Sequence, residues 1–180
     1  MARKTLCGAL AFGLAMIMMT ACATKTDADY VKSIDEWHQK RVEGLKAPDS
    51  WLSLAGLYWL EESENSFGAG ASNDVVFPEG KAPAEMGVFI LENGRVTVKV
   101  KEGVGIFHDG APVTTLEMKN DAEGKPTVLS HRSLSWFVIR RGDRIGIRLR
   151  DSANPRIAGF KGIERFPVSE KWRIEAEFKP

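Results

Sequence analysis

Cysteine is nearly absent from this sequence of 180 residues. Its two cysteines, Cys7 and Cys22, both lie near the N-terminus, so the rest of the chain has no thiol for a disulfide, a nucleophile or a Cys-ligated metal site. Histidine is also scarce, and no two of the three histidines have the His-x-x-x-His spacing of a helical metal site. Gly-x-Ser-x-Gly and phosphate-binding glycine loops are absent as well. The sequence predicts no cofactor, no metal and no motif-defined catalytic residue.

An excess of one charge sign is also lacking. The chain has 25 Lys and Arg against 24 Asp and Glu, and a net charge of +1. Arg3 and Lys4 are the only charged residues among the first 22, which leaves 23 basic against 24 acidic residues after them. Such a balance gives no electrostatic reason to expect nucleic acid. With 43% hydrophobic and 27% charged residues, the composition is that of a folded domain.

The N-terminus carries the strongest signal. Arg3 and Lys4 precede an apolar run, Leu6 to Met19, that has the length of a signal-peptide core rather than a membrane span. The run ends in Met19-Thr20-Ala21-Cys22, which resembles the lipobox of bacterial lipoproteins. The resemblance implies a signal peptide over residues 1–21 and acyl chains, palmitate among them, on Cys22. The alternative is an ordinary secreted protein in which this Cys falls by chance.

Ala23 follows Cys22, and in Gram-negative lipoproteins a residue other than Asp there implies delivery to the outer membrane. We therefore predict a protein of the bacterial cell envelope, anchored by lipid and facing the periplasm. Residues 22–29 are small and polar, as expected for a flexible tether. Residues 30–180 are predicted to form a single β-rich domain with an N-terminal helix.

The helix is predicted from about Asp29 to Gly44. Tyr30, Ile34, Trp37 and Leu45 recur at helical spacing, and Trp37 favours docking of this stripe on the domain. From Trp51 the period changes to that of strands, and hairpin turns follow every eight to twelve residues or so, with residues 172–178 as the last of about nine strands. The expected fold class is all-β, an antiparallel β-sandwich or barrel-like sheet with one N-terminal α-helix.

One strand carries a row of arginines. Alternation places Ile145, Ile147 and Leu149 on one face, and the residues of the opposite face are Arg144, Arg148 and Arg150. Guanidinium groups beside the gap left by Gly146 are suited to a small anionic ligand, because a carboxylate or phosphate accepts two parallel hydrogen bonds from one arginine. The alternative, a solvated face with ion pairs across the sheet, is the more common arrangement.

Other residues carry weaker signals. Asn73 and Asp74 lie in a glycine-containing loop, where they either orient a ligand or form turn hydrogen bonds, and the turn role is more common. A small envelope hydrolase with a site near His131, Asp151 and Arg148 is an alternative that no spacing supports. The aromatic residues of the predicted strands are expected in the core rather than on a stacking platform; they are Trp51, Tyr58, Trp59, Trp136, Phe137 and Trp172.

Several motifs together resemble bacterial domain of unknown function 1684. They are the 48–60 segment PDSWLSLAGLYWL, NSFG at 65–68, SND at 72–74, RGDR at 141–144, LRD at 149–151, and FKGI to FP to WR over 160–173. The resemblance covers about residues 30–178 and implies an exported bacterial protein without an established activity or catalytic residues. Family members continue past the equivalent of Phe178, so the sequence is expected to be a fragment or a short variant.

A weaker resemblance is to forkhead-associated domains, through residues 65–68, 73–76 and 109–113. The residues that read phosphothreonine in that family are missing, because Ala69 stands in place of an arginine and no Ser-x-x-His occurs between Pro78 and Phe89. The resemblance implies a sandwich fold without phosphothreonine binding. We therefore expect a lipid-anchored envelope protein that acts as a binding or structural module.

Overall fold

The fold is described by a computed structural model, which covers residues 27–179. The predicted signal peptide and the lipidation site at Cys22 lie outside these residues. The main helix, α1, spans Ala28–Lys46. It begins where the Asp27 side chain accepts a hydrogen bond from the Asp29 amide at 2.8 Å, and it ends just before Pro48. The predicted helix is therefore confirmed, with slightly wider bounds.

Eleven strands follow within the described residues. They are β1 (Leu54–Trp59), β2 (Ser63–Gly68), β3 (Val75–Val76), β4 (Gly87–Glu92), β5 (Arg95–Val100), β6 (Phe107–His108), β7 (Ala111–Pro112), β8 (Thr115–Met118), β9 (Val128–His131), β10 (Leu134–Arg141) and β11 (Arg144–Asp151). A short helix, α2, follows over Pro155–Gly159. One sheet has the order β1-β11-β10-β9-β6-β7 and the other the order β3-β2-β4-β5-β8. Every strand pair is antiparallel except β2 with β3.

The core lies between the two sheets, which confirms the predicted sandwich. Phe67 and Phe89 of the five-stranded sheet stack with ring centroids 4.2 Å apart. Trp136 of the six-stranded sheet is fully buried and meets Phe77 edge-on at 5.1 Å. Aromatic pairs of this geometry add to the free energy gained by burying their area.

Two expectations about aromatic residues are wrong. Trp51 is 71% exposed, because it opens a 3-10 turn over Trp51–Ser53 instead of a strand. Residues 172–178 alternate as a strand would, but they have no partner strand in the described part of the chain, and Trp172 is 76% exposed. Trp136 and Phe137 are buried as predicted, while Tyr58 and Trp59 are half-buried.

Helix α1 does not dock as predicted. None of its residues is buried, and Trp37 is 63% exposed. The helix contacts the 3-10 turn at Trp51–Ser53. On another side it faces the segment from Ile163 to Trp172, which is called the C-terminal segment. Across residues 27–179, no helix is both long and apolar enough to cross a membrane.

Candidate anion-binding pocket

The alternation predicted for β11 is present. Ile145, Ile147 and Leu149 are buried between the sheets, whereas Arg148 and Arg150 are half-buried on the outer face. Cross-strand register places Phe137 of β10 opposite Arg148 and Leu54 of β1 opposite Arg150. The outer face of the six-stranded sheet thus presents two neighbouring guanidinium groups beside apolar side chains.

The gap expected at Gly146 is filled by an aromatic ring. A Cβ built on Gly146 would lie 2.9 Å from Cε3 of Trp59, so the indole lies directly over the glycine. The guanidinium of Arg144 in turn lies 4.0 Å from the centroid of a Trp59 ring. This cation–π contact occupies Arg144, and the lining of the neighbouring pocket includes Arg148 and Arg150 but not Arg144.

The pocket beside Arg148 and Arg150 encloses about 170 Å³. Its other walls come from the chain that leads from α1 into β1, and they are Asp49, Ser50, Trp51 and Leu54. This turn is fixed by hydrogen bonds: the Ser50 hydroxyl donates to the Leu45 carbonyl, and the Ser53 hydroxyl donates to the Ser50 carbonyl at 2.6 Å. The Leu54 carbonyl accepts a hydrogen bond from the Asn154 amide group at 3.2 Å. The wall opposite the arginines is therefore held in place from two directions.

Arg150 is the residue whose surroundings most clearly call for an anion. Its Nε is buried and has no hydrogen-bond partner among the described residues. Its guanidinium lies 5.0 Å from the centroid of the Phe137 ring. Burial lowers the pKa of Arg150, the charge of Arg148 lowers it further, and Asp49 partly opposes both. A buried donor without a partner costs about 1–3 kcal/mol. Because solvent does not reach this Nε, an anion in the pocket would meet the outer nitrogens of the guanidinium rather than Nε.

Asn73 and Asp74 have structural partners. The Asn73 amide donates to the carbonyls of Gly70 at 2.7 Å and Ala84 at 2.8 Å. One oxygen of Asp74 accepts hydrogen bonds from the hydroxyl and the backbone amide of Ser66. Both bonds lower the pKa of Asp74, and the bond from the hydroxyl has the larger effect. The two residues hold the loop before β3 against β2, as in the turn role.

The residues of the hydrolase alternative are not brought together. His131 and Asp151 lie on either side of Leu134 on the inner face of the sheet, whereas Arg148 points to the outer face. The Nδ1 of His131 is 2.7 Å from the Gly105 carbonyl, and Asp151 forms an ion pair with Lys81 at 3.2 Å. Within residues 27–179, no group of three potential metal ligands is found either.

Sequence reasoning missed two features of this region, because each depends on a contact between distant parts of the chain. Asp49, Ser50 and Trp51 enter the pocket only because β1 pairs with β11, a contact between segments about 100 residues apart in the chain. The second feature is a groove between α1 and the segment from Ile163 to Trp172. The helical stripe of Tyr30, Ile34 and Trp37 predicts one wall of this groove, but nothing in the sequence indicates which segment faces the stripe.

Comparison with known proteins gives only low structural similarity, which carries no argument about this chain. No protein-family model matches the chain and no curated protein matches it, so the relationship to domain 1684 stays a prediction. Among solved structures, the chain is similar to the FhaA forkhead-associated (FHA) domain complexed with the intracellular domain of Rv3910, with 14% identity and a TM-score of 0.32, covering 52% of this chain and 97% of that one.

Two further structures show the same level of likeness. Mycobacterium tuberculosis EmbR, in complex with a low-affinity phosphopeptide, shows 11% identity and a TM-score of 0.33 over 68% of this chain and 31% of that one. The N-terminal FHA domain of S. cerevisiae Rad53p, in complex with a phosphothreonine peptide, shows 10% identity and a TM-score of 0.31 over 53% and 73%. Likeness at this level carries no argument about the ligand of the present chain.

Proposed function

We propose that this protein is a lipid-anchored binding module of the bacterial cell envelope, and that it holds the anionic group of a ligand between Arg148 and Arg150. The observation that carries the proposal is a pocket lined by two arginines, Arg148 and Arg150, on the outer face of the six-stranded sheet. Neither guanidinium forms an ion pair within 4.0 Å with any residue that the structure describes. Both charges are thus available to a carboxylate or a phosphate.

The pocket is selective in size. A volume of about 170 Å³ admits a carboxylate, a phosphate or a short acid, but not a folded partner. Asp49 lies on the opposite wall, so a ligand with a hydroxyl or ammonium group beside its anionic group would meet both charges. The exposed indole of Trp51 stands at the same wall and offers an apolar surface to the rest of the ligand.

The test is calorimetric titration of the protein with butyrate and with inorganic phosphate. Replacing Arg148 and Arg150 together by Gln is expected to lower affinity for either anion by at least about tenfold, since each hydrogen bond to a charged group contributes about 1.5–3 kcal/mol. Arg95→Gln is the matched control, because Arg95 is exposed on the other sheet and lines a different recess. Equal binding by the double variant and by the control would refute the site.

The anchor is proposed from the lipobox alone. Acyl chains on Cys22 would keep the protein on the membrane, because each buried methylene contributes roughly 0.8 kcal/mol. Cys22→Ser is expected to move the protein from the membrane fraction to the soluble periplasmic fraction. Continued sedimentation of this variant with membranes would contradict acylation, and sedimentation of the unmodified protein with inner membranes would contradict the proposed outer-membrane location.

A further inference from the structure

A groove of about 600 Å³ runs between α1 and the C-terminal segment. Hydrogen bonds and an ion pair hold the segment to the helix, and at either end of the segment cation–π contacts of Lys46 with Phe160 and of Arg173 with Tyr30 add to them. The His38 ring lies 2.9 Å from the Ile163 carbonyl, Arg165 forms an ion pair with Asp35, and the Glu170 carboxylate accepts a hydrogen bond from the Asp27 amide at 2.9 Å. No residue of α1 is buried by these contacts, so the surface between the helix and the segment stays open to solvent.

The walls of this groove are apolar and open to solvent. They include Tyr30, Ile34, Trp37, Ile163, Phe166 and Trp172. Phe166 is 88% exposed and Trp172 is 76% exposed, although their neighbours in the groove are also apolar. A contiguous apolar surface rimmed by charged residues is typical of a binding site rather than of an ordinary protein surface.

A third space adjoins both the groove and the anion pocket. A recess of about 340 Å³ lies between them and is lined by Trp37, Lys40, Arg41, Leu45 and Trp51. This recess shares Trp51 with the anion pocket, and it shares Trp37 and Arg41 with the apolar groove. From Leu45 to Ile34 the path follows α1 for roughly 16 Å, at 1.5 Å of rise per residue. The three spaces adjoin one another through these shared residues, and together they are called the trough, which has arginines at one end and apolar side chains at the other.

We propose that the trough binds a single-chain alkyl carboxylate, with its carboxylate between Arg148 and Arg150 and its hydrocarbon chain along Trp51 and Trp37 into the groove. The inference rests on the proposed function and names its ligand class. Charge and shape support this occupant. Lys40 and Arg41, which line the recess between the two ends, are cationic. The acid among the described lining residues is Asp49, and the cationic residues Arg148, Arg150, Lys40 and Arg41 outnumber it.

Other occupants fit fewer of the features. A small inorganic anion satisfies Arg150 but leaves the aromatic walls uncovered. An uncharged apolar peptide covers those walls but places no anion beside Arg148 and Arg150. An unbranched chain that ends in a carboxylate satisfies both ends of the trough in one molecule, because each buried methylene and each charge-assisted hydrogen bond stabilises the complex independently.

The experiment compares three probes by calorimetric titration against the full chain carrying Cys22→Ser, which has no acyl group of its own. Butyrate has the carboxylate alone, dodecanol the chain alone, and laurate both. Laurate is expected to bind at least roughly 100-fold more tightly than butyrate, because burial of each methylene raises affinity about fourfold. Dodecanol is expected to bind at least about tenfold more weakly than laurate, because it cannot pair with the arginines.

Two variants separate the ends of the trough. Trp37→Ala is expected to weaken laurate and dodecanol severalfold and to leave butyrate unchanged; this exposed residue can be replaced without disturbing the core. Arg148→Gln with Arg150→Gln is expected to weaken laurate and butyrate and to leave dodecanol unchanged. Phe107→Ala, which removes a 41% exposed aromatic residue elsewhere, is the matched control for Trp37.

The outcomes distinguish the two proposals. If laurate binds no better than butyrate and binding of both depends on the arginines, the anion pocket is supported and the proposed alkyl carboxylate ligand is wrong. If laurate and dodecanol bind with equal affinity and replacing the arginines changes neither, the proposed anion pocket is wrong, and so is the proposed alkyl carboxylate ligand. If none of the three binds, while phospholipid vesicles or a peptide bind through Trp37, the trough belongs to another class of partner and the proposal is overturned.

Discussion

Replacing Gly146 by Ala tests how tightly β1 and Trp59 close over β11. A Cβ at this position would lie 2.6 Å from the Tyr58 carbonyl oxygen and 2.9 Å from Cε3 of Trp59. Both distances are below ordinary van der Waals contact, so either the edge strand β1 must move away or the indole must leave its place beneath Arg144. The substitution therefore acts on the strand pairing and on the cation–π contact together.

The expected magnitude follows from two opposing effects. Overpacking by a methyl group costs about 1–3 kcal/mol. The loss of glycine's freedom in the unfolded chain returns about 0.4–1 kcal/mol. We expect a net destabilisation of about 1–2 kcal/mol, which corresponds to a fall in Tm of roughly 2–8 °C for a chain of this size. Thermal unfolding followed by circular dichroism measures this directly.

Gly44 is the matched control. It lies in α1, and a Cβ added there would meet nothing within 4 Å. Gly44→Ala is therefore expected to leave Tm unchanged or to raise it, because alanine is favoured over glycine inside a helix by about 1 kcal/mol. The same chemical change is thus predicted to destabilise the protein at Gly146 but not at Gly44.

A second substitution locates the clash. Trp59→Ala removes the ring contact but not the contact with the Tyr58 carbonyl. In the Trp59→Ala background, Gly146→Ala is therefore expected to cost less than in the unmodified protein, but still to destabilise it. If Gly146→Ala melts at or above the temperature of the unmodified protein with its strand signal intact, the packing described for this edge is wrong.

Two further predictions concern the core and its margin. Phe67→Ala is expected to cost about 3–5 kcal/mol in urea unfolding, since Phe67 is fully buried and packs against Phe89 and Trp136; a loss below 1 kcal/mol would contradict this packing. For Asp151, burial raises the pKa, but hydrogen bonds from Ser133 and the Ala153 amide, together with Lys81, outweigh burial and leave the pKa lowered. The stabilisation from this carboxylate is thus fully present above its unfolded pKa of about 3.9, and it is lost as pH falls through the lower folded pKa. The difference in free energy of unfolding between the unmodified protein and Asp151→Asn should therefore narrow below about pH 4. A difference that stays constant with pH would refute this.

The fold was largely predictable because its signals are local. The alternation in β11 separates Ile145 and Ile147 from Arg148 through a period of two, and this pattern holds wherever one face of a strand is buried. The helix was equally local, with a capping Asp27 and a terminating Pro48. Neither inference requires knowing what lies across the sheet.

The exposed aromatic residues show where local reasoning fails. Residues 172–178 alternate as well as β11 does, yet Ile174 is 87% exposed and Phe178 is 88% exposed. A strand gains its hydrogen bonds from a neighbouring edge, and the alternation states only which side chains share a face. The prediction that Trp51 is in the core was wrong for a related reason. The chain turns at Ser50, and the turn places the indole outside the sandwich.

The pocket combines both cases. The sequence was sufficient to place Arg148 and Arg150 on one face, because alternation decides this. It was not sufficient to distinguish a paired, solvated row from a binding site, because that distinction depends on what stands opposite. The wall opposite is Asp49 to Trp51, brought there by the register of Leu54 with Arg150 and by the Asn154 hydrogen bond to the Leu54 carbonyl. Burial lowers the pKa of Arg150, Asp49 partly opposes this, and no ion pair within 4.0 Å joins the two residues. Arg148 and Arg150 are thus cationic residues without an ion-pair partner among residues 27–179, beside an apolar surface. An anion with a hydrocarbon chain is the ligand that matches both features.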